Sequence, residues 1–544
     1  MNTELVNLIR KELVFVISET SGISLQNTLE LLSFSARIKK NKLIEDKIDE
    51  FRKLLYIFNS NGGQKNIKNL LEHEVGLAFF QFFKNFPLRY YEEHIHLTGS
   101  LSASFLFPRI LEIINGPQGK KVIEKIKKIY GLNTLKLESE KDIKELITLK
   151  ESEGFGEYLK ILFLPKLVLR TRQDHFDSAF HMASELHGKY NIGHLRLKFT
   201  FSRSTTIESE QVPGLEDLSE EDAVLGLLEG FESYRSIHPD FDYILSPSFR
   251  KEKGFFDPKF KSKSDHFHHQ VEQLIELCKK YPKLKDKMTE VDTVGDESDH
   301  FRKAHFSDMK SGFRRLQSHG MRIRSHHGET WKSLKRGIQS VDNAMNIWHI
   351  DTVEHGLSLG INPHYYFHRL YQRIMEMNGS GIGLKLGSNE HNELEDMEWD
   401  NLLIKDKITN GIPLEKDEHK QFIKAKFYSA REIEHYQHDV LNRMIQKNVS
   451  LVSLPSSNIK LTNNFPDYKG HPFSWWEKKG VNLGIGTDNY VTLGTNPIQE
   501  LLLILFSDPE NLKITKLLMV ASKEKRRTYL GHLLWEMRKK EKTL

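Results

Sequence analysis

The spacing of apolar and polar residues changes near residue 89 and divides this chain into two parts. Up to residue 88, apolar positions recur every three or four residues, interrupted by the segment SNGGQKN. That spacing is typical of amphipathic helices and carries no strand signal. We therefore predict a helical extension over residues 1–88 that packs against the rest of the chain.

From residue 89 onward, short strand-like runs alternate with polar or glycine-containing turns and helical stretches. Strands that alternate with helices predict a parallel sheet joined by right-handed crossovers. Eight such repeats predict a (β/α)8 TIM barrel over residues 89–544, an α/β fold whose active site lies where the strands end. The runs are EEHIHLTGS (92–100), HLRLKFTFSR (194–203), FDYILSPSFR (241–250), TEVDTVGDE (289–297), MRIRSHHGE (321–329), HIDTVEHG (349–356), VSLVSLPSS (449–457) and VNLGIGTDN (481–489).

The connection between the sixth and seventh runs is far longer than one helix and two loops need. Its centre, MEMNGSGIGLKLGSNEHNELEDMEWDN, is rich in glycine, asparagine and acidic residues. We predict an insertion over about residues 361–446, which forms either an excursion at the barrel mouth or an oligomer contact.

Composition limits the classes of protein and site that fit. Hydrophobic residues make up 38% and charged residues 28% of the 544, and the sequence contains neither a run of eighteen apolar residues nor a secretory leader. We expect a cytoplasmic protein without membrane contact. The single cysteine, Cys278, excludes a disulfide framework and every zinc site built from two or more thiolates. A metal ion would need His, Asp or Glu ligands.

Charge does not identify a partner. The net charge of +5 is spread over 79 basic and 74 acidic residues. Short basic runs such as KKVIEKIKK have apolar residues at helical spacing, which is typical of a solvated helix face. We therefore expect no nucleic-acid partner.

Candidate chemistry begins with His94 and His96 in the first run. Side chains two apart in a strand point to the same side, so both imidazoles can reach one point in a barrel mouth. A metal ion explains this geometry, although an incidental pair of polar histidines would have the same spacing.

Further reactive side chains fall at the ends of later runs. His326 ends the fifth run three residues before Glu329, where it can be a third ligand beside a carboxylate that moves protons. His355 ends the sixth run, and Asp488 ends the eighth with a carboxylate that would complete a site of three nitrogens and one oxygen. Each residue alone is explained by a polar loop, but chance seldom brings all of them to strand ends.

These motifs together resemble the adenosine and AMP deaminase group of the metal-dependent amidohydrolases. The resemblance spans roughly residues 89–505 and lies, in the family's order, in HIHLTGS, VDTVGDE, HHGE, EHG, LPSSN and HPFSWWEKKGVNLGIGTDN. It implies one divalent ion per chain, zinc with iron or manganese as alternatives, and hydrolytic deamination of a 6-aminopurine. The ion would lower the pKa of a bound water towards about 7, hydroxide would add to C6, and ammonia would leave.

The resemblance also implies roles for single residues. The implied metal ligands are His94, His96, His326 and Asp488. Glu329 would donate a proton to the purine ring, His355 would orient the attacking water, and Asp488 would accept a hydrogen bond from that water. The backbone of Gly295 would meet N3 of the base.

Departures from the family pattern bear on the substrate. Where adenosine-specific members have an aspartate that meets the 5′-hydroxyl, this chain has Thr98, which would not repel a phosphate. We therefore expect AMP or dAMP, converted to IMP or dIMP, with adenosine or deoxyadenosine as the alternative. Asn489 replaces an aspartate that holds N7, and its amide can donate to an unprotonated N7. Candidate phosphate contacts are Ser202, Arg203, Ser456 and Ser457.

Two other kinds of metal site do not fit this sequence. The fourth run lacks the lysine that bridges two metals in related enzymes, so one ion is expected. One cysteine cannot supply the C-x-x-C pair of the cytidine and tRNA-adenosine deaminases.

A nucleotide-binding scaffold subunit with little catalysis is the alternative function. A homo-oligomer is expected, and a role in defence against phage rests on family analogy alone.

Overall fold

The structure, a computed structural model, describes residues 3–20, 23–60, 67–150, 153–201, 218–462 and 470–543. Eight parallel strands form one sheet in which each strand pairs with the next along the chain. The strands are β1 Tyr90–His96, β2 Ile192–Thr200, β3 Asp242–Arg250, β4 Glu290–Val294, β5 Arg322–His327, β6 Thr352–His355, β7 Ser450–Ser453 and β8 Leu483–Ile485. The predicted (β/α)8 barrel is confirmed, because each predicted run coincides with one strand.

The barrel closes where the chain beyond β8 returns to β1. The Asp488 N–H donates to the His94 carbonyl at 2.9 Å, and the His96 N–H donates to the Asp488 carbonyl at 2.7 Å. The buried carboxylate of Glu92 accepts hydrogen bonds from the backbone and hydroxyl of Thr487 at 3.0 and 3.1 Å. Closure therefore brings polar residues of the first and last strands side by side.

The N-terminal extension is helical, as predicted. Its helices are α1 Thr3–Thr20, α2 Leu25–Ile38, α3 Lys42–Asn59, α4 Ile67–Glu72 and α5 Glu74–Lys84. Phe51 of α3 and Phe79 of α5 pack on Phe506, with ring centroids 5.5 and 6.5 Å apart. The extension therefore shares its core with a helix that follows β8, as its apolar periodicity requires.

Helices follow each strand in the pattern of a (β/α)8 barrel. They are, after β1, α6 Ala103–Asn115, α7 Gly119–Tyr130, α8 Glu140–Ile147, α9 Phe155–Ile161, α10 Phe163–Val168 and α11 Arg172–Tyr190; after β2, α12 Glu220–Ile237; after β3, α13 Lys263–Lys280 and α14 Pro282–Lys287; after β4, α15 Ser307–Ser318; after β5, α16 Leu334–Asn343; after β6, α17 Pro363–Gly379, α18 Asn389–Asp396, α19 Leu402–Thr409 and α20 Lys416–Gln446; after β7, α21 Pro455–Leu461 and α22 Phe473–Lys479; after β8, α23 Pro497–Ser507, α24 Ile514–Ser522 and α25 Arg527–Thr543. No helix within the described ranges combines the length and the apolar character needed to cross a membrane.

The predicted insertion between the sixth and seventh strands consists of α17 to α20. It is anchored to the start of α16, the helix that follows β5. The buried Glu393 carboxylate accepts hydrogen bonds from the Leu334 N–H at 2.7 Å and the Tyr366 hydroxyl at 2.6 Å. Asp396 pairs with Arg336 at 2.7 Å and accepts a hydrogen bond from Ser333. The insertion therefore supports the segment between β5 and α16.

Charged side chains fill part of the barrel interior. Lys198 on β2 lies 2.9 Å from Glu354 on β6, and Arg324 on β5 contacts both Glu354, at 2.5 Å, and Glu93 on β1, at 3.6 Å. β2 and β6 are not neighbours in the sheet, nor are β1 and β5, so the Lys198–Glu354 and Arg324–Glu93 contacts cross the barrel interior, whereas Arg324 and Glu354 lie on adjacent strands. The interior charge network consists of Glu93, Arg196, Lys198, Glu290, Asp292, Arg324 and Glu354.

Candidate active site

The four predicted metal ligands bring their donor atoms together at the carboxyl ends of β1, β5 and β8. Nε2 of His96 lies 3.1 Å from Nε2 of His94 and 3.2 Å from Nε2 of His326. Oδ1 of Asp488 lies 3.6 Å from His94 Nε2 and 3.4 Å from His96 Nε2. Three nitrogens and one oxygen in this arrangement match the donor set of a four-coordinate zinc site.

Two of the imidazoles are oriented by buried carboxylates. His94 Nδ1–H donates to Glu354 at 2.8 Å, and His326 Nδ1–H donates to Asp292 at 3.1 Å. With the proton on Nδ1, each Nε2 presents a lone pair to the common centre, as a metal ligand must. Burial lowers the pKa of both histidines well below its ordinary value, and the nearby Lys198 ammonium lowers it further. The rings are therefore neutral, and their facing lone pairs fit a shared cation.

Asp488 and His355 adopt backbone conformations that are rare for residues with a side chain. Their φ angles are +63° and +70°, in the left-handed region. The backbone bonds to β1 fix Asp488, and the His355 ring is fixed by a 2.9 Å hydrogen bond from Nδ1–H to Asn458 Oδ1. Backbone strain of this kind persists where surrounding contacts hold the residue in place, often at functional sites.

The carboxylate of Asp488 is held at both oxygens. Ser457 Oγ donates to Oδ2 at 2.6 Å, and the Asn489 amide Nδ2–H donates to Oδ1 at 2.6 Å. Oδ1, which faces the histidines, is thus fixed in direction by its neighbours.

His355 and Glu329 face the same space beside the histidine cluster. Nε2 of His355 lies 3.7 Å from Glu329 Oε2 and has no hydrogen-bond partner among the described residues. The His355 ring is fully buried, and burial lowers its pKa. Since its Nδ1 carries the proton, Nε2 is a free acceptor aimed at the site.

Glu329 has the properties of a proton donor at neutral pH. Its side chain is only 12% exposed. Burial, and then the negative charge of Glu297, raise the pKa of Glu329 to about 8. The Glu329 carboxyl is therefore mostly protonated at pH 7.

The loop that carries Glu329 is built around the buried carboxylate of Glu297. This carboxylate accepts hydrogen bonds from three successive backbone N–H groups, those of Gly328, Glu329 and Thr330, at 3.0, 2.5 and 2.8 Å. Burial opposes its ionisation, but the Lys251 ammonium, the His327 side chain and the Thr330 N–H hold the pKa of Glu297 at about 2. Glu297 ends the motif VDTVGDE, but nothing in the sequence alone indicated that its carboxylate would hold the Glu329 loop.

Two neighbouring residues complete the loop. His327 faces the loop, where its ring Nδ1 lies 3.2 Å from Glu297 Oε2 and 2.7 Å from Ser340 Oγ. Gly328 has φ +70°, and a Cβ there would lie 2.6 Å from Ser358 Oγ. Glycine is therefore required for the turn that separates His326 from Glu329.

Asn489 has a partner that the sequence did not reveal. Its Nδ2 lies 2.6 Å from the hydroxyl of Tyr158, on α9, as well as 2.6 Å from Asp488. Oδ1 of Asn489 is buried and has no partner in the described part of the chain. Tyr158 lies more than three hundred positions from Asn489, and no local pattern connects the two residues.

The remaining predicted substrate contacts fall in several environments. Thr98 begins a 3-10 turn directly after β1 and is partly exposed at the barrel mouth. Gly295 has φ +103°, and a Cβ there would lie 2.2 Å from the Glu252 carboxylate. The glycine is therefore needed for the close approach of Glu252 to the loop after β4.

The candidate phosphate contacts are not assembled as a group. Ser456 donates its backbone N–H to Glu500 at 3.0 Å, and its hydroxyl bonds to the same carboxyl group. Ser457 is buried and donates to Asp488. Both serines thus have carboxylate partners within the fold. Ser202 and Arg203 lie outside the described residues.

Comparisons with known proteins found similar structures only. No protein-family model and no curated protein matches the chain. The adenine deaminase of Arthrobacter aurescens is 14% identical, with a TM-score of 0.49, and the match covers 83% of this chain and 99% of that one. An amidohydrolase from Burkholderia ambifaria with bound zinc is 13% identical, with a TM-score of 0.46, over 85% of this chain and 94% of its own.

The N6-methyl-AMP deaminase of Arabidopsis thaliana is 12% identical, with a TM-score of 0.47, and the match covers 85% of this chain and 98% of that one. The neighbours are deaminases and an amidohydrolase. The order of the eight strands establishes the barrel in this chain.

Proposed function

We propose that this protein is a metal-dependent purine deaminase of the adenosine and AMP deaminase group, acting on a 6-aminopurine 5′-monophosphate such as AMP or dAMP. The observation that carries the proposal is the convergence of three imidazole nitrogens and one carboxylate oxygen at the carboxyl end of the barrel. A protonated carboxyl and a free imidazole nitrogen face the same space. This combination supports a hydrolytic enzyme rather than a scaffold.

The donor set fits one divalent ion. His94, His96, His326 and Asp488 would hold it. When bound, such an ion lowers the pKa of a water molecule and supplies a nucleophile at neutral pH. Zinc is the proposed ion, and iron and manganese accept the same nitrogen and oxygen donors.

Glu329 would act as the general acid. Addition of water at C6 places negative charge on the purine ring, and a proton delivered to N1 relieves that charge. With a pKa of about 8, the Glu329 carboxyl keeps this proton at pH 7 and can release it to a more basic ring nitrogen. The Glu297 carboxylate fixes the backbone of the Glu329 loop and so directs the donor.

His355 would direct and deprotonate the water. Its Nδ1–H is held by Asn458, so Nε2 has a lone pair that can accept a hydrogen bond or a proton. The positive φ angle keeps the ring turned towards the site. His355 would therefore activate the nucleophile and Glu329 would donate the proton, so hydrolysis of the amidine would use two different residues.

The base and the phosphate would be recognised by neutral groups. The buried Oδ1 of Asn489 is an acceptor for an N–H group of the base, while its Nδ2–H groups are held by Asp488 and Tyr158. The hydroxyl of Thr98, at the mouth, does not repel an anionic 5′-phosphate. These features support a monophosphate substrate, with the nucleoside as the competing choice.

A substrate panel tests the proposal. Purified protein with one ion per chain is incubated with adenosine, deoxyadenosine, AMP, dAMP and N6-methyl-AMP, and ammonia release is followed with the ultraviolet change of the base. We expect the highest kcat/KM for a monophosphate. Faster turnover of adenosine would favour the nucleoside reading, while tight nucleotide binding without ammonia release would favour the scaffold and contradict the enzyme.

A further inference from the structure

One buried ammonium group connects the histidine ligands of β1 and β5. Nζ of Lys198 lies 2.9 Å from Oε1 of Glu354 and 3.3 Å from Oδ2 of Asp292, and all three side chains are fully buried. The second oxygen of Glu354 accepts the Nδ1–H of His94, and Asp292 accepts that of His326. Two imidazole–carboxylate pairs are thus joined through a single atom of Lys198.

Stability alone does not explain this lysine. A buried ion pair is often no more stabilising than a well-packed apolar pair, because desolvation of the charges offsets their attraction. Glu354 already has a second cation, since Arg324 Nε lies 2.5 Å from its Oε1. Lys198 is therefore one of two cations that face Glu354, and Arg324 is shared with Glu93 and Glu290.

Asp292 depends on Lys198 more strongly. Its side-chain hydrogen-bond partners within the described residues are His326 and the Ser248 hydroxyl, which lies 3.5 Å from Oδ2. Without the ammonium group, the carboxylate can turn towards Ser248 and lose its hydrogen bond to the His326 ring. The His326 ring could then rotate about its Cβ–Cγ bond and direct Nε2 away from the other donor atoms.

We propose that Lys198 is a positioning residue for the metal centre: it holds Glu354 and Asp292 so that Nε2 of His94 and Nε2 of His326 point at one place. Nζ of Lys198 contacts the two carboxylates, and it would act on the ion through them. The inference rests on the proposed function, because it assigns the histidine cluster to a metal ion.

The experiment compares K198M, D292N and the double variant with the wild type. The dissociation constant for Zn²⁺ is measured by competition with a chromophoric chelator, and the visible spectrum of the Co²⁺-loaded protein reports the geometry of the ligands. The control is K263M, because Lys263 is also buried but donates only to the carbonyls of Arg250 and Phe255. Should K198M fail to fold, K198Q keeps one donor group and is measured instead.

We expect K198M to weaken Zn²⁺ binding about 10- to 100-fold and to change the Co²⁺ spectrum, while K263M leaves both unchanged. The double variant should bind almost as well as the weaker single variant, because Lys198 acts through Asp292. Equal Zn²⁺ affinity in K198M and K263M, or fully additive losses, would overturn the inference.

The same series separates this inference from the proposed function. A wild type that binds one ion and releases ammonia, together with an unaffected K198M, refutes only the role of Lys198. A wild type that binds no divalent ion refutes both.

Discussion

Replacing Glu329 with glutamine tests the assignment of the general acid most directly. The change keeps the shape of the side chain and the bonds that Glu297 makes to the loop backbone, but it removes the acidic proton. Nothing among the four metal donors is altered, so the variant should keep one ion per chain. Turnover should fall about 10²- to 10⁴-fold, the usual contribution of a positioned acid.

The raised pKa of Glu329 determines its protonated fraction at pH 7 and the pH at which activity declines. A carboxyl with a pKa of about 8 is about 90% protonated at pH 7, whereas one with the ordinary value of 4.5 is below about 1% protonated. The wild-type rate should therefore decline as the pH rises through about 8, and the residual rate of the variant should lack this decline.

The E329Q substitution should stabilise the folded protein at pH 7 although it lowers activity. The folded protein holds a proton on Glu329 that the unfolded chain releases above pH 4.5, so folding loses stability between about pH 4.5 and pH 8. At pH 7 this cost is at most about 3 kcal/mol. E329Q has no such cost and should unfold at a higher denaturant concentration at pH 7, with no gain at pH 4.

Glu393 supplies a matched control. It is also a buried carboxyl whose pKa burial raises to about 8, but it lies on α18 and binds Tyr366 and Leu334. E393Q should show a similar gain in stability at pH 7 and a kcat within about threefold of wild type. Ammonia release and denaturant unfolding are measured for both variants from pH 5 to 9. Near-normal turnover of E329Q, or an equal loss in E393Q, would refute the reasoning.

Four other substitutions test the remaining parts of the site. D488A should lower the metal content well below one ion per chain, measured by elemental analysis, because one donor of four is lost; unchanged content would remove Asp488 from the ligand set. T98D should lower kcat/KM for AMP at least about tenfold relative to adenosine, because the carboxylate repels the phosphate; an unchanged ratio in the ultraviolet assay would place the phosphate elsewhere. Y158F should raise KM for the purine more than it lowers kcat, because Asn489 loses a hydrogen-bond partner, and an unchanged KM would exclude this role. E297Q should lower the free energy of unfolding by about 2 kcal/mol and reduce kcat, since the amide cannot accept all the backbone bonds of the Glu329 loop; equal unfolding curves would contradict that.

Much of the barrel could be predicted because its strands carry two signals at once. Each is a short apolar run, and each ends in a residue with polar chemistry, so that a run such as HIDTVEHG marks both the strand and its carboxyl end. His94 and His96 were recognisable as a pair for the same reason, since strand geometry alone places them on one side.

Contacts that depend on barrel closure could not be predicted. In HLRLKFTFSR, Arg196 and Lys198 alternate with apolar residues, a pattern typical of a strand with one face in water. Closure turns this face inward, where Lys198 meets Glu354 from the opposite side of the barrel. The motif LPSSN likewise suggests a phosphate contact at Ser457, but this residue lies in the first turn of α21 and is buried against Asp488.

The charged interior also bears on how the chain reaches this structure. Ion pairs connect the first half of the barrel to the second: Lys198 to Glu354, and Glu93 to Arg324. A fragment ending after β4 would leave Lys198 and Glu93 without these partners. A fragment beginning at β5 would keep the Arg324–Glu354 pair but would lose the contacts of Arg324 with Glu93 and of Glu354 with Lys198. Neither half is therefore suited to fold by itself, and the eight strands should assemble as one cooperative unit.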